Sequence, residues 1–286
     1  MWPKKPIYWQ IDRTLKVFIP FTWELPGVLA RLRQRSLFWD DAIVGGPAVE
    51  LMPGFFSSLD YVTEGHDEPG VLQRVNPLAT RTTNGCIRRC GFCAIGTGKV
   101  EAGKFRELKE WPDLPMVTDN NLLAASKKHF DKVIDRLKVH GWADFNQGLD
   151  SRLLTDYHAK RLAELKHKDT RVRLALDHMD YSDEWQEAYD RLRAVGLPKR
   201  NISSYCIVAF NSAPKESWQR CEWVESHGIM ALPQWYHGLD QLEKNIVTDE
   251  QVKLGWTDEG RKEIMGYYYK HRGKVPEFAV AINRGS

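Results

Sequence analysis

The chain has 286 residues, with 42% hydrophobic and 28% charged side chains and a formal net charge of +3. This composition excludes an intrinsically disordered chain, and the longest apolar stretches are strand-sized, too short to span a bilayer. The N-terminus carries no apolar segment of the kind found in secretion signals. The five cysteines, odd in number and mostly clustered, do not make a disulfide framework, so we expect a cytoplasmic protein.

The first 75 residues predict a small α/β lobe, called the N-terminal lobe below. In this lobe the stretches LKVFIPF and DAIVGG are typical of parallel strands, joined by TWELPGVLARLRQRS. Residues 76–240 predict the central domain. Residues 241–286, rich in charge and aromatic rings, predict a C-terminal helical extension, whose stretch GYYYKHRGK favours a solvated basic helix end over a nucleic-acid patch.

The central domain alternates short apolar runs with segments of helical period, which is typical of successive βα units. We predict strands near RVNPLATRTTNG and in LPMVTDNN, ADFNQGLDSRLL, RVRLALDHMD, NISSYCIVAFNS and IMALPQWY, with a helix after each of the middle four. Thr155 and Ser182 are the predicted caps of two helices. About six units are too few for a closed eight-stranded barrel.

The helix after LPMVTDNN has the clearest predicted boundaries. It is expected to start near Leu123 and to end at Gly141. Its apolar side chains recur at helical spacing and should form one buried face, made of Leu123, Phe130, Val133, Ile134 and Leu137.

Polar side chains follow the predicted strands, at the ends where chemistry in such folds is found. They are Asp119, Asn120, Asn121, Asn146, Gln147, Asp150, Arg152, Asp177, His178, Asn211 and Gln234. Because Asp and Asn also favour helix starts, several of them could be caps and turns instead.

Three cysteines, Cys86, Cys90 and Cys93, have the spacing C-x3-C-x2-C in GCIRRCGFCAIG. A closed zinc site and a fully protein-held [4Fe–4S] cluster both need four protein ligands. Three thiolates leave one coordination position vacant, and an iron with a vacant position can hold an exogenous ligand. The alternative is a structural zinc site in a non-catalytic zinc- or Fe–S-binding interaction module. A histidine would then complete it: His66, His129 or His178.

The other two cysteines, Cys206 and Cys221, lie within a predicted strand and a predicted helix. Free cysteine is among the most buried residues, so both are expected to be core thiols. Arg88 and Arg89 flank the cysteine motif and either pair with an anionic substrate or point into solvent.

The cysteine spacing, with Phe92 directly before the third cysteine, resembles the radical S-adenosylmethionine (SAM) superfamily. The resemblance implies an α/β fold with a partial (β/α)6 TIM-like barrel over residues 76–240. It also implies a [4Fe–4S] cluster on Cys86, Cys90 and Cys93, whose fourth iron is chelated by SAM. A flavodoxin- or ferredoxin-type donor would reduce the cluster, and homolytic cleavage of SAM would give a 5′-deoxyadenosyl radical that abstracts hydrogen from the substrate.

The resemblance also assigns SAM-contacting residues. VTDNN stands where the family places a cluster for the SAM amino group, Arg152 is a partner for the carboxylate, and Asp177 is a ribose contact. The fifth-strand segment of the family is usually written with glycines, whereas this sequence has Ala209, Phe210 and Asn211. The full set of expected cofactor-binding residues is Phe92, Asp119, Asn120, Asn121, Asn146, Arg152, Asp177 and Asn211.

The N-terminal lobe is similar, in AIVGGPAVELMPGFFSSLDYVTEGHDEPG, to the end of a cobalamin-binding domain. Because the D-x-H-x-x-G ligating motif is absent, we expect a degenerate remnant and no bound cobalamin. The substrate stays open between a nucleotide or nucleic acid, a peptide side chain and a small metabolite. The 11 tryptophans and mildly basic charge favour the first, and no membrane partner is expected.

Overall fold

The structure is a computed structural model that describes residues 4–34, 37–65, 70–101, 104–165 and 170–270. The chain divides into two compact units. The first unit contains Met1–Ala79, Gly85–Phe105 and His237–Lys244. The second unit contains Thr80–Asn84, Arg106–Tyr236 and Asn245–Ser286. The stretch Gly85–Phe105, called the cysteine segment below, therefore belongs to the same unit as the N-terminal lobe.

The first unit is built on one sheet whose described strands are β1 (Ile7–Ile11), β2 (Thr14–Phe18), β3 (Asp41–Gly45) and β4 (Val62–Glu64). β1 and β2 form an antiparallel hairpin, whereas β2, β3 and β4 are parallel. The helices of this unit are α1 (Leu25–Arg33), α2 (Pro47–Leu51) and α3 (Val71–Val75). The predicted pair of parallel strands joined by a helix is confirmed by β2, α1 and β3.

Alternation along the strands and helical spacing on α1 give the first unit its core. β2 and β3 bury Val17 and Val44, which lie opposite each other. α1 buries Leu25, Val28 and Leu32, whose spacing of three and four residues puts them on one face. Each such side chain contributes about 1.5–3 kcal/mol when it leaves water.

A late segment of the chain, His237–Lys244, completes the first unit. The Thr22 hydroxyl donates to the Gln241 carbonyl oxygen at 2.6 Å. The rings of Trp23 and His237 lie 4.6 Å apart. These contacts join residues that are more than 200 positions apart in the sequence.

The second unit contains short parallel strands with helices between them. Its strands are β5 (Ala79–Thr80, at the boundary), β6 (Thr83–Asn84), β7 (Arg106–Glu107), β8 (Met116–Val117), β9 (Asp144–Phe145), β10 (Val172–Ala175), β11 (Ile202–Val208) and β12 (Met230–Trp235). Its helices are α4 (Lys127–Leu137), α5 (Asp156–Ala163), α6 (Ser182–Ala194), α7 (Pro214–Ser226), α8 (Asp249–Lys253) and α9 (Asp258–Lys270).

The strands of the second unit form small sheets with the orders β5-β8-β9 and β10-β11-β12, beside the antiparallel pair β6-β7. The pairs β8–β9, β10–β11 and β11–β12 are parallel. Two isolated parallel bridges, Asp144 to Arg171 and Leu149 to Leu174, lie between the two sheets. The α/β class is confirmed, and the strands in the described ranges do not close into a barrel.

The buried face predicted for α4 is confirmed, but its predicted start is wrong. Phe130, Val133, Ile134 and Leu137 are all buried, as is Leu123. The helix starts only after Ser126, whose hydroxyl accepts from the His129 N–H, because a 3-10 turn over Leu122–Ala124 precedes it. A second 3-10 turn, Lys138–His140, ends as predicted at Gly141, where φ is +70°.

The predicted caps differ in outcome. Thr155 caps α5, its hydroxyl accepting from the His158 N–H, so this prediction is confirmed. Ser182 is not an N-cap, because the 3-10 turn Met179–Tyr181 leads directly into α6. The backbone of Ser182 is therefore already helical, with φ −62° and ψ −36°.

The C-terminal extension is helical where it is described, with α8 and α9 both in it. Residues 271–286, including the end of the stretch GYYYKHRGK, lie outside the described residues. None of the helices in the described ranges has both the length and the apolar character needed to cross a membrane. The domain boundaries expected at residues 75 and 240 stay predictions.

Candidate metal centre

The cysteine segment is a succession of tight turns that carries three partly exposed cysteines. The Cys93 N–H donates to the Cys90 carbonyl at 3.1 Å, and the Thr97 N–H donates to the Cys93 carbonyl at 2.9 Å. The backbone N–H of Arg88 donates to Sγ of Cys86 at 3.3 Å. Hydrogen bonds to the sulfurs are one of the features that tune iron–sulfur clusters.

Two glycines allow the backbone of this segment to pack on itself. A Cβ atom added at Gly85, where φ is +68°, would lie 2.0 Å from the Lys104 carbonyl oxygen. A Cβ atom at Gly96 would lie 2.7 Å from both N and O of Cys90. A side chain at either position would force the backbone to move. The close backbone contacts at Gly85 and Gly96 therefore restrict the conformation of the segment on both sides of Cys90.

The remaining predicted residues of this segment have different exposures. Phe92 and Arg88 are partly buried, whereas Arg89 is exposed. Three partly exposed cysteines fit, by residue type and access, the donor set for a cluster held by three thiolates. Among the described residues, no three side chains of His, Cys, Asp or Glu are gathered as a metal-binding group. The metal site stays a prediction.

The histidines proposed for a zinc site have local partners in the second unit. His129 is buried, its Nε2 lies 3.2 Å from Oγ1 of Thr82, and burial lowers its pKa. His178 is exposed, and its Nδ1 accepts from the Asp180 N–H at 3.2 Å. His66 lies outside the described residues.

Asp119 is committed to the turn between β5 and β6. Its Oδ1 accepts from the backbone N–H groups of Thr82 at 2.5 Å and Thr83 at 3.1 Å, and its Oδ2 accepts from the Thr82 hydroxyl. Burial raises the pKa of this carboxyl, against the effect of those donors. The side chain therefore has a structural role, and its contact with SAM stays a prediction.

Asp150 brings together two of the residues assigned to SAM. Its Oδ1 lies 2.8 Å from Nε of Arg152, and its Oδ2 accepts from Nη2 of Arg152 at 3.3 Å and from Nδ2 of Asn121 at 3.2 Å. Arg152 also lies over the Tyr181 ring, with its guanidinium carbon 4.8 Å from the ring centre. Asp150 was predicted to lie at a strand end but was not among the expected cofactor-binding residues.

Asp177, at the end of β10, belongs to the same electrostatic environment. Burial raises its pKa to about 6, and a backbone hydrogen bond from Ile207 and the charges of Arg220 and Arg152 act in the opposite direction. At neutral pH the carboxylate is therefore mostly ionised and can accept a hydrogen bond from a hydroxyl group. Asp150 thus links Asn121 to Arg152, and Arg152 lies close enough to Asp177 for their charges to interact.

The turn after β11 has an unusual backbone. Ala209 has φ +65° and Asn211, which is exposed, has φ +46°. This is the left-handed region that glycine adopts readily and alanine rarely. The turn after β11 therefore has, at Ala209 and Asn211, a backbone conformation that suits glycine.

A buried polar network supports this turn. Nη2 of Arg220, a residue only 2% exposed, donates to the Ile207 carbonyl at 2.8 Å and to the Ser212 hydroxyl at 2.9 Å. Nε2 of Gln251 donates to the Ala209 carbonyl at 3.2 Å. The Trp256 indole N–H donates to the Ser212 carbonyl at 2.8 Å. Strained residues persist only when their surroundings hold them, and here α7, α8 and Trp256 do so.

The remaining strand-end residues are less enclosed. Asn120 and Asn146 are partly exposed, and the Asn146 carbonyl accepts from the Tyr205 hydroxyl at 2.8 Å. Gln147 and Gln234 are exposed. A surface depression at the ends of β8 and β9 has no space for a water-sized molecule, and it is lined by Val117, Asp119, Leu122, Phe145, Gln147, Gly148 and Leu149.

Cys206 and Cys221 are both 0% exposed, which confirms their prediction as core thiols. They contact each other between β11 and α7, and the hydrogen bond with Cys221, followed by burial, raises the pKa of Cys206. Neither thiol is accessible to a ligand from solvent.

No protein-family model matches the chain, and no curated protein matches it.

Proposed function

We propose that this chain is a radical SAM enzyme in which Cys86, Cys90 and Cys93 bind a [4Fe–4S] cluster. The observation that carries the proposal is the cysteine segment, in which partly exposed thiols lie on turns fixed by Gly85 and Gly96. Three cysteines leave one iron without a protein ligand, and that iron would be chelated by SAM. When bound and reduced by a flavodoxin- or ferredoxin-type donor, the cluster supplies the electron that cleaves SAM.

For the fold, we propose a partial (β/α)6 barrel in the second unit. Support comes from strand order: β8 to β9 and β10 to β12 follow the order of the chain, and the pairs β8–β9, β10–β11 and β11–β12 are parallel. The two bridges between β9 and β10 continue the series. In such folds, catalytic groups lie at the carboxyl ends of the strands.

The polar residues at those strand ends bind and orient SAM in this proposal. Asp150 aims the Arg152 guanidinium, which neutralises the SAM carboxylate, since a guanidinium pairs with carboxylates in a bidentate geometry. The amide oxygen of Asn121 accepts from the amino group. The Asp177 carboxylate accepts from a ribose hydroxyl, and the turn at Ala209 to Asn211 contacts the adenine.

For the substrate, we propose a nucleotide or nucleic acid. The support is compositional, because 11 tryptophans and a net charge of +3 suit stacking on bases and attraction to phosphate. A peptide side chain and a small metabolite are the other outcomes that product analysis with labelled SAM would distinguish.

Metal analysis after anaerobic reconstitution tests the function. We expect a brown protein with about four irons per chain. On addition of a strong reductant, this protein should convert SAM to 5′-deoxyadenosine. A colourless protein that binds one zinc and leaves SAM intact would replace the enzyme with the zinc-binding interaction module.

A further inference from the structure

Two glutamates tie the base of the cysteine segment to the N-terminal lobe. The backbone N–H of Gly85, the residue before Cys86, donates to Oε2 of Glu101 at 2.8 Å. The backbone N–H of Glu101 in turn donates to Oε2 of Glu50 at 2.9 Å. Glu50 lies on α2, so two successive hydrogen bonds connect this helix to the residue that precedes the first cysteine.

Glu101 has a strained backbone. Its φ is +57°, in the left-handed region that residues other than glycine seldom adopt. In this conformation its N–H contacts Glu50, while its carboxylate reaches back 16 residues to Gly85. Strain of this kind persists only where neighbouring contacts determine the conformation, and it is concentrated at functional sites.

The hydrogen bonds to Glu50 and Glu101 are of a kind strong enough to hold a backbone. Carboxylates form charge-assisted hydrogen bonds that are roughly twice as strong as neutral ones. Gly85 is held on its other side by close contact with the Lys104 backbone, which leaves no room for a Cβ atom. The segment is therefore closed at its base from both sides, immediately before Cys86.

We propose that Glu50 and Glu101 are positioning residues that fix the backbone at the base of the cysteine segment, next to Cys86, and that the N-terminal lobe supports the metal site through them. This inference rests on the proposed function for the identity of the bound metal. The two residues act through the backbone of Gly85 and contribute no ligand themselves. The lobe then has a role in a chain that lacks the cobalamin-ligating motif.

The lobe provides a matched control in Glu64, which makes the same kind of bond elsewhere in the first unit. Its two carboxylate oxygens accept from the backbone N–H groups of Gly54 at 2.6 Å and Phe56 at 2.8 Å. These bonds join parts of the lobe to each other and do not involve the cysteine segment. Glu64→Ala therefore reports a general weakening of the lobe.

The first measurement uses metal-free protein and a thiol-modifying reagent, with modification at each cysteine followed by peptide mass spectrometry. The proteins are wild type, Glu50→Ala, Glu50→Gln, Glu101→Ala, Glu101→Gln and Glu64→Ala. In the two alanine variants at Glu50 and Glu101, we expect Cys86 to react about three- to tenfold faster, as expected for loss of one hydrogen bond. The glutamine variants keep an acceptor oxygen but lose the charge, so Cys86 should react in them at rates between those of wild type and the alanine variants. Cys206 and Cys221, 0% exposed, are internal references.

The second measurement follows iron release to a chelator from the reconstituted proteins. We expect faster release from Glu50→Ala and Glu101→Ala, partial rescue in the glutamine variants, and no change in Glu64→Ala. Equal thiol rates and equal iron release in all variants would overturn the inference, as would an equal effect of Glu64→Ala. A wild-type protein that takes up no iron overturns the proposed function itself, and iron content reports that outcome separately from the thiol rates.

Discussion

The cysteine segment and the core between β11 and α7 contain the same chemical group in opposite environments. Cys86, Cys90 and Cys93 are partly exposed on turns fixed by backbone contacts, whereas Cys206 and Cys221 are fully buried and contact each other. A thiol that binds metal must lose its proton and be reached, and burial opposes both requirements. Candidate metal ligands therefore differ from core cysteines in two respects: their thiols are accessible to solvent, and they lie on a backbone held in place by close contacts.

The largest effect is expected from substitutions in the cysteine segment. Replacing Cys86, Cys90 or Cys93 with alanine should abolish cluster assembly and SAM cleavage, because each thiolate holds one iron. Iron content after anaerobic reconstitution and formation of 5′-deoxyadenosine measure the two effects. An iron-loaded Cys90→Ala protein that still cleaves SAM would remove the assignment.

A second prediction concerns Glu225, a buried carboxyl on α7 beside the core thiols. Burial and, to a smaller extent, the charge of Glu222 raise its pKa from 4.5 to about 7. The folded state then retains a proton that the unfolded state releases, so stability falls as pH rises from about 4.5 to about 7 and is constant above this range. The loss is about 3.5 kcal/mol, since the pKa rises by about 2.5 and one pKa unit corresponds to roughly 1.4 kcal/mol.

Urea unfolding at several pH values measures this loss. Glu225→Gln should remove the pH dependence in this window, and Glu222→Gln should reduce it by removing the neighbouring charge. An unchanged slope in Glu225→Gln would contradict the assignment of the titration to this residue.

A third prediction extends the comparison to guanidinium groups. Arg152 has a side chain that is 27% exposed at a strand end, whereas Arg220 is buried beneath the turn after β11. Arg152→Ala should keep the cluster but weaken SAM binding by about 1.5–3 kcal/mol, the range for hydrogen bonds to charged groups. Titration of SAM into reconstituted protein measures this change.

The matched control is Arg200→Ala, because Arg200 is exposed and lies in the turn Lys199–Asn201 before β11, at the amino end of that strand. It should bind SAM as wild type does. Equal affinities in Arg152→Ala and wild type would remove Arg152 from the site.

The smallest effect is expected from substitutions of the buried thiols. Cys206→Ala or Cys221→Ala should lower the free energy of unfolding by about 1–2 kcal/mol, as is usual for a small loss of packing. The iron content and the rate of SAM cleavage should not change. Loss of iron in either variant would show that these thiols are not mere packing.

Local patterns predicted much of the second unit. The prediction of the buried face of α4 was correct because helical periodicity depends only on residues close in the sequence. The prediction of Thr155 as a cap was correct for the same reason. The prediction of Ser182 as a cap was wrong because a 3-10 turn precedes the helix and leads directly into it. The residue pattern of a cap does not reveal such a turn. Boundaries depend on such adjoining turns more than on the residues at the boundary.

The sequence predicts the candidate ligands of the metal site but not the side chains that hold the backbone around them. The cysteine spacing is a local signal, visible within eight positions of the sequence. Glu50, Glu101 and Asp150 act through contacts that only the folded chain makes, 51 residues apart in the case of Glu50 and Glu101. The need for glycine at Gly96 arises from close approach of the Cys90 backbone. Sequence patterns do not report such approaches.

The division of the chain has a consequence for biosynthesis and for dissection into fragments. The first unit is discontinuous, and its last part, His237–Lys244, contacts Thr22 and Trp23 near the start of the sequence. Although the N-terminal lobe leaves the ribosome first, it cannot complete these contacts until residue 244 has emerged. A fragment that ends at Tyr236 keeps all three metal-binding cysteines of the proposal, yet it lacks the partners of Thr22 and Trp23. No single cut in the chain separates the two units.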